Sequence, residues 1–336
     1  MLILALDARV LMGFSLALTL STLSLRAQEQ KYRERQVLNP DTNTWVDQAP
    51  TTEEAPSDGL GQARRYLALG QPAKARSILS RWLKKPPDEE RLYEARYLLG
   101  ETYFESRDFW KAAKEYGTVA ENASGELYEQ ANRHTMDVAR AFLSGQKRIV
   151  WGFLRLPAYA EGVDLLDKVW ERTAGTRLAE VALKLKADYY FNNGDMDLAQ
   201  DEYANLVQQY PSGRFVQLAM LRSAEAAEAA FPGIKFDDKP LVEADERYRQ
   251  LLATFPGFAE HENVPQRVDG IHQERAEKDL DIAHWYERTR QPGAAEFYYR
   301  QILKEYSDTL AAADARTRLR ALGAAVEPGA PEEGKP

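Results

Sequence analysis

Four histidines, His134, His261, His272 and His284, are the side chains of this 336-residue chain best suited to hold a metal or pass a proton at neutral pH. Their spacing does not serve that chemistry. No pair has HExxH or i, i+4 spacing, which would set two imidazoles on one helix face. There is no cysteine to complete a ligand set. Its absence also removes disulfides, thiolate nucleophiles, thiol redox chemistry and any lipid anchor through sulfur. The GxGxxG, P-loop and GxSxG motifs are missing. The 52 carboxylates are scattered, many with Lys or Arg three or four residues away, as on solvated helix faces. Asp237 and Asp238 in "DDKP" are too few for a calcium loop. The histidines therefore read as solvated or groove-lining, and neither a catalytic residue, a metal nor a cofactor is expected. The net charge of −8 argues against a nucleic-acid backbone as partner, which calls for a basic patch.

The spacing that does recur is structural. In "NNGDMDLAQDEYANLVQQYP", Gly194, Ala199, Tyr203, Leu206 and Pro211 follow Ala187 and Tyr190 at positions 8, 11, 15, 20, 24, 27 and 32 of a 34-residue ruler. That is the tetratricopeptide (TPR) template, two antiparallel helices per unit. Small residues at 8 and 20 let the helices approach. Gly at 15 ends the first helix, and the residues at 24 and 27 fill the gap to the next unit. Pro at 32 stops the second helix.

The same ruler fits five more stretches. The first has Ala63, Gly70, Ala75, Leu79, Trp82 and Pro87. The second has Gly100, Tyr103, Ala112, Tyr116 and Val119. The third pairs Ala139 and Phe142 with Gly162, Leu166 and Val169. The fifth pairs Ala224 and Ala227 with Ala244, Tyr248, Leu251 and Pro256. The sixth has Ala283, Tyr286, Ala295, Tyr299 and Ile302, with Ser307 in place of Pro. A single unit cannot bury its apolar face, so the units must stack. The expected fold is all-α, a TPR superhelical solenoid of about six helix-turn-helix units with a C-terminal capping helix. No strand pattern is expected.

The elements around this array are a targeting segment, a linker and a tail. Sixteen uncharged residues lie between Arg9 and Arg26, shorter than a membrane span and suited to a signal peptide over 1–27, with Ala27 at the cleavage site. Translation starting at Met12 and an uncleaved anchor remain open. Residues 28–58 read as a polar linker, with Trp45 docking on the folded body. The TPR domain spans 59–325, and 326–336 reads as a disordered tail.

Function is expected on the first helix of each unit, which lines the groove of a TPR stack. The register places there Tyr97, Glu101, Phe104 and Glu105; Arg133, Met136 and Arg140; Lys184, Asp188, Phe191 and Asn192; and His284, Glu287 and Arg288. They mix charge with aromatics, as a peptide-binding groove does. Tyr97, Phe104 and Phe191 equally fit ordinary packing between units. The long connection "QKRIVWGFLRLPAYAEG" is basic and aromatic. Through Trp151, Phe153 and Arg155 it contacts a partner or the membrane surface. Alternatively Trp151, Phe153 and Leu154 fold back to cover the superhelix, the reading favoured because so apolar a patch is a liability in water.

Export signal, polar linker and TPR stack together resemble the BamD-like outer-membrane assembly family. The resemblance is carried best by "AQDEYANLVQQYPSGRFVQLAMLRSAEA", "ADERYRQLLATFPGF" and "AAEFYYRQILKEYSDTLAAADARTRL", and covers roughly Ala63 to Leu322. It implies a non-enzymatic periplasmic scaffold at the outer membrane, with protein partners such as an outer-membrane β-barrel assembly protein or unfolded barrel peptides. Peripheral membrane association would fit. Two features depart from the family: there is no lipobox cysteine, and there are six units where the best-known members have five. The TolA-associated periplasmic TPR adaptors of envelope maintenance or division share the motifs. They often carry an N-terminal coiled coil, and no heptad run precedes Ala63.

Overall fold

The computed structural model describes residues 36–39, 44–47, 59–86, 89–150 and 153–324. Contacts divide the chain into two compact units, Met1–Lys85 and Pro86–Pro336.

The first unit holds one helix pair, α1 (Gly59–Ala68) and α2 (Pro72–Trp82). Ala63 and Ala75 are fully buried where the two helices meet. Gly70 adopts φ 65°, a left-handed turn that costs glycine little, and Pro72 opens α2 where its missing N–H is no loss. Two short strands precede the pair, β1 (Gln36–Asn39) and β2 (Thr44–Asp47), antiparallel with Val37 opposite Val46 and Leu38 opposite Trp45. The targeting segment, the tail and the side chain of Trp45 lie outside the described residues.

The second unit contains the other five helix pairs in chain order. They are α3 (Glu89–Glu105) with α4 (Phe109–Asn122), α5 (Gly125–Leu143) with α6 (Tyr159–Arg172), and α7 (Arg177–Asn193) with α8 (Met196–Gln209). After α9 (Val216–Ala229) and α10 (Lys239–Thr254) a single short helix, α11 (Pro256–His261), intervenes. The last pair is α12 (Val264–Arg288) with α13 (Pro292–Glu305), and α14 (Leu310–Ala321) packs on both as the cap.

The register explains the packing residue by residue. Ala112, Ala139, Ala187, Ala199, Ala224, Ala244, Ala283 and Ala295, at positions 8 and 20, are all fully buried, and Gly100 and Gly162 complete the set. A methyl added to Gly162 would lie 2.8 Å from the Leu143 side chain and 3.2 Å from the Ala139 carbonyl oxygen, so the two helices approach closely at that glycine. Tyr116, Leu166, Tyr203, Tyr248 and Tyr299 at position 24, with Val119, Val169, Leu206, Leu251 and Ile302 at 27, are at most 1% exposed. Burying such side chains contributes roughly 1.5–3 kcal/mol each.

Helix ends follow backbone need rather than residue type. Gly194 ends α7 at φ 86°, and the Asp195 N–H returns to the Tyr190 carbonyl. The same closure is made at Arg107 (φ 57°) and Arg290 (φ 61°), where a non-glycine residue takes the left-handed conformation.

The expectation of no strands is corrected by β1–β2 and by a second antiparallel pair, β3 (Lys147–Val150) with β4 (Leu154–Pro157), which joins α5 to α6. Runs of four residues are too short for alternation to stand out, yet Ile149, Leu154 and Leu156 alternate with arginines as strand residues do. Arg148 anchors β3. Its guanidinium sits 5.6 Å from the Trp110 ring centroid on α4 and 2.9 Å from Glu161 on α6. No helix among the described residues is long and apolar enough to cross a membrane.

Candidate functional site

The first helices of the second unit carry a repeated polar device. The buried position-24 tyrosine of one helix donates its hydroxyl to a carboxylate on the partner helix. Tyr203 reaches Asp188 at 2.7 Å, Tyr248 reaches Glu228 at 2.6 Å, Tyr299 reaches Glu287 at 2.7 Å, and Tyr116 reaches Glu101. Each bond satisfies a phenol that burial would otherwise leave unpaired, and fixes a carboxylate. Burial first, and the carboxylate next, push all four phenols far above the ordinary tyrosine range. They remain donors at any pH at which the protein works.

Each carboxylate also meets a second group. Asp188 pairs with Lys184 one turn away, Glu228 with Arg267 at 3.3 Å, Glu287 with Arg318 at 3.6 Å, and Glu101 lies 3.2 Å from Nδ1 of His134. Three of these four partners, Arg267, Arg318 and His134, come from the next unit or the cap, so the device ties neighbours together.

Several residues predicted for the groove belong to this packing. Tyr97 and Phe104 are half-buried around His134, with ring centroids 5.6 and 6.3 Å away, and Phe104 meets Phe109 at 5.3 Å. Both side chains are therefore inter-unit packing with one edge outward. Met136 is buried in the same cluster, whereas Glu105 is exposed. Lys184 sits 5.5 Å from the Phe215 ring. His284 pairs at 3.0 Å with Asp314 on the capping helix α14, so it faces the cap. Arg133 and Arg140 are exposed and pair along α5 with Glu129 at 3.0 Å and Asp137 at 2.9 Å. Asn192 and Arg288 are exposed.

In the β3–β4 connection Arg148 packs on α4 and α6, but Phe153 and Leu154 do not fold back over the helices. Phe153 is 79% exposed, and Leu154 and Arg155 are also exposed, because an antiparallel pair of four-residue strands projects its turn away from the body. Trp151 lies outside the described residues. Among the described residues no group of three or more His, Asp and Glu side chains could hold a metal.

The first helices of three successive units converge on one open cleft of about 730 Å³. Phe191 at the end of α7 forms one side. Arg222, Glu225, Glu228 and Ala229 on α9, the connection from Phe231 to Ile234, and Arg267, Glu274 and Glu277 on α12 supply the rest of its lining. Arg222 lies 5.0 Å from the Phe191 ring centroid. Of the residues expected in the groove, Phe191 alone lines this cleft. The signal for the others was present: with Ala224 at position 8, the groove positions 9, 12 and 13 of the fifth unit are Glu225, Glu228 and Ala229. The part of α12 that holds Arg267 and Glu274 precedes the 34-residue template and gave no such signal.

The sequence profile of a family described as outer membrane lipoprotein, YfiO, matches residues 158–326, which include the whole cleft. Among curated proteins none matches. Three solved structures are among those to which the chain is similar. The C-terminal part of a TPR protein from Cytophaga hutchinsonii is 13% identical, covering 76% of this chain and 98% of that one, with a TM-score of 0.33. A thermophilic TPR protein of Thermus thermophilus is 16% identical, covering 63% and 96%, with a TM-score of 0.28. PilW, described as a type IV pilus biogenesis factor, is 15% identical, covering 78% and 96%, with a TM-score of 0.27.

Proposed function

Because the chain belongs to the outer membrane lipoprotein family YfiO, we propose that it is a non-enzymatic periplasmic scaffold that mediates protein–protein contacts in outer-membrane protein assembly. The observation that carries this reading is the match over residues 158–326, which takes in the helices whose inner faces form the cleft. The surface chemistry supports it. Arg222, Arg267, Glu225 and Glu228 there pair with one another rather than forming a nucleophile, base and oxyanion donor, the constellation that acyl or phosphoryl transfer requires. Aromatic rings beside charged groups suit recognition of a polypeptide. With no cysteine in these 336 residues, association with the membrane would run through a protein partner or peripheral contact rather than a thioether lipid.

The test is affinity capture of the tagged full chain from detergent-solubilised envelopes, paired with depletion in the source cell. Recovery of an outer-membrane β-barrel assembly protein, with a fall in barrel content on depletion, is expected. Recovery of cytoplasmic proteins alone, with barrel content unchanged, would overturn the proposal.

A further inference from the structure

The cleft on α7, α9 and α12 is divided by chemistry. Phe191, Ala229, Phe231, Pro232 and Ile234 give it apolar walls, and its volume falls within the roughly 300–1,000 Å³ typical of ligand pockets. The rest of its lining is four glutamates and two arginines. Both arginines are already engaged. Arg222 and Arg267 donate to Glu225 at 2.9 and 2.8 Å, and Arg267 also reaches Glu228 at 3.3 Å. Glu228 further accepts from Tyr248.

Glu274 and Glu277 are left over. Three residues apart on α12, they lie on one helix face. Both are exposed, and among the described residues neither has a cation against it. Glu277 accepts only a neutral amide bond from Gln273, at 3.0 Å. Partial burial, with the charges of Glu228 and Glu277, holds the Glu274 carboxyl above the usual carboxylate range. The cleft thus holds apolar side chains together with two uncompensated negative charges, the complement of a segment that carries an apolar and a cationic side chain side by side.

We propose that this cleft binds an extended peptide segment in which a lysine or arginine stands beside an aromatic or large aliphatic residue. The cation sits against Glu274 and Glu277, and the apolar side chain lies on Phe191, Phe231 and Ile234. This rests on the reading of the groove as a protein-binding surface and names what that surface selects.

The test uses the full chain and a fluorescein-labelled peptide amide, Gly-Ser-Phe-Lys-Leu-Ser-Gly, with versions in which Glu or Met replaces Lys, followed by anisotropy. The Lys peptide should bind at least about 10-fold more tightly than the Glu peptide, with a preference that shrinks as salt is raised. The double variant E274Q/E277Q should weaken the Lys peptide about 5- to 10-fold and leave the Met peptide unchanged. The double variant E274K/E277K should invert the preference. Both glutamates are exposed, so the variants keep the fold, which circular dichroism checks. Equal binding of the three peptides, or indifference of the Lys peptide to E274Q/E277Q, overturns the inference. So does absence of Lys-peptide binding up to about 1 mM. In those cases the scaffold reading still stands if envelope capture recovers the assembly partner, and it falls separately if capture fails.

Discussion

Replacing Gly100 with alanine tests the packing of the first helix pair of the second unit in a way that helix propensity alone would answer with the opposite sign. Gly100 lies inside α3, where exchanging glycine for alanine ordinarily stabilises by about 1 kcal/mol. Here the added methyl would stand 2.6, 2.8 and 3.2 Å from three carbons of the Tyr116 ring. That ring has no room to retreat. It is fully buried, its hydroxyl is held by Glu101, and its faces meet Tyr97 and His134 at centroid distances of 5.8 and 5.4 Å. Overpacking of this kind costs typically about 1–3 kcal/mol, and two contacts below 3 Å on an immobile ring place it near the upper end. The net expectation is a loss of about 2 kcal/mol, measured by denaturant unfolding. A double-mutant cycle separates the terms. With Tyr116→Leu in the background the obstacle is gone, so Gly100→Ala should stabilise by about 1 kcal/mol, a coupling of about 3 kcal/mol. A neutral or stabilising Gly100→Ala in the parent chain would refute the close approach of α3 and α4.

Other perturbations probe the remaining elements. Ala199→Arg should cost about 4 kcal/mol or more, because the site is fully buried among Leu183, Ala187 and Tyr203; an unchanged melting temperature would disprove the register. Arg107→Gly and Arg290→Gly, at exposed left-handed positions, should each stabilise by about 0.5–1 kcal/mol, read as a higher melting temperature. Burial, reinforced by Asp238 and Glu305, raises the Asp279 carboxyl above its usual range despite Arg275 and Lys278. An acid so raised takes up its proton more readily folded than unfolded. Its ionisation therefore destabilises the fold above the raised folded pKa, and the cost vanishes as pH falls below the unfolded value near about 4. Asp279→Asn should accordingly raise the melting temperature near pH ~7, with the difference closing toward about pH 4.

What was legible in the residues was whatever packing demands at a constant spacing. Position 8 tolerates only a small side chain in every unit, so Ala187 and its equivalents announce the helix pairs. The left-handed helix ends were legible at Gly70 and Gly194 but hidden at Arg107 and Arg290, because the closing hydrogen bonds hold a conformation there that residue type does not advertise. The tyrosine–carboxylate ties were hidden for another reason. The tyrosine keeps its place while the carboxylate precedes it by 15 residues at Glu101 and Asp188, 20 at Glu228 and 12 at Glu287. Connection length and the turn of the helix chosen both vary, so no fixed spacing reports the contact.

The cleft follows from the same division between what the repeat holds constant and what it frees. A regular unit would run from α9 into α10 through a short turn. The insertion "FPGIKFDDKP" lengthens that turn, and Phe231 to Ile234 line the cleft. At its far end Asp238 takes Lys278 at 3.0 Å and Arg275 at 3.2 Å from α12, which holds its carboxyl below the usual range despite partial burial. The insertion is therefore tied to the helix that carries Glu274 and Glu277. An insertion left untied would be a mobile loop; tied at Asp238, it keeps apolar residues in the same cleft as the uncompensated carboxylates, and the proposed selectivity arises where the template is broken.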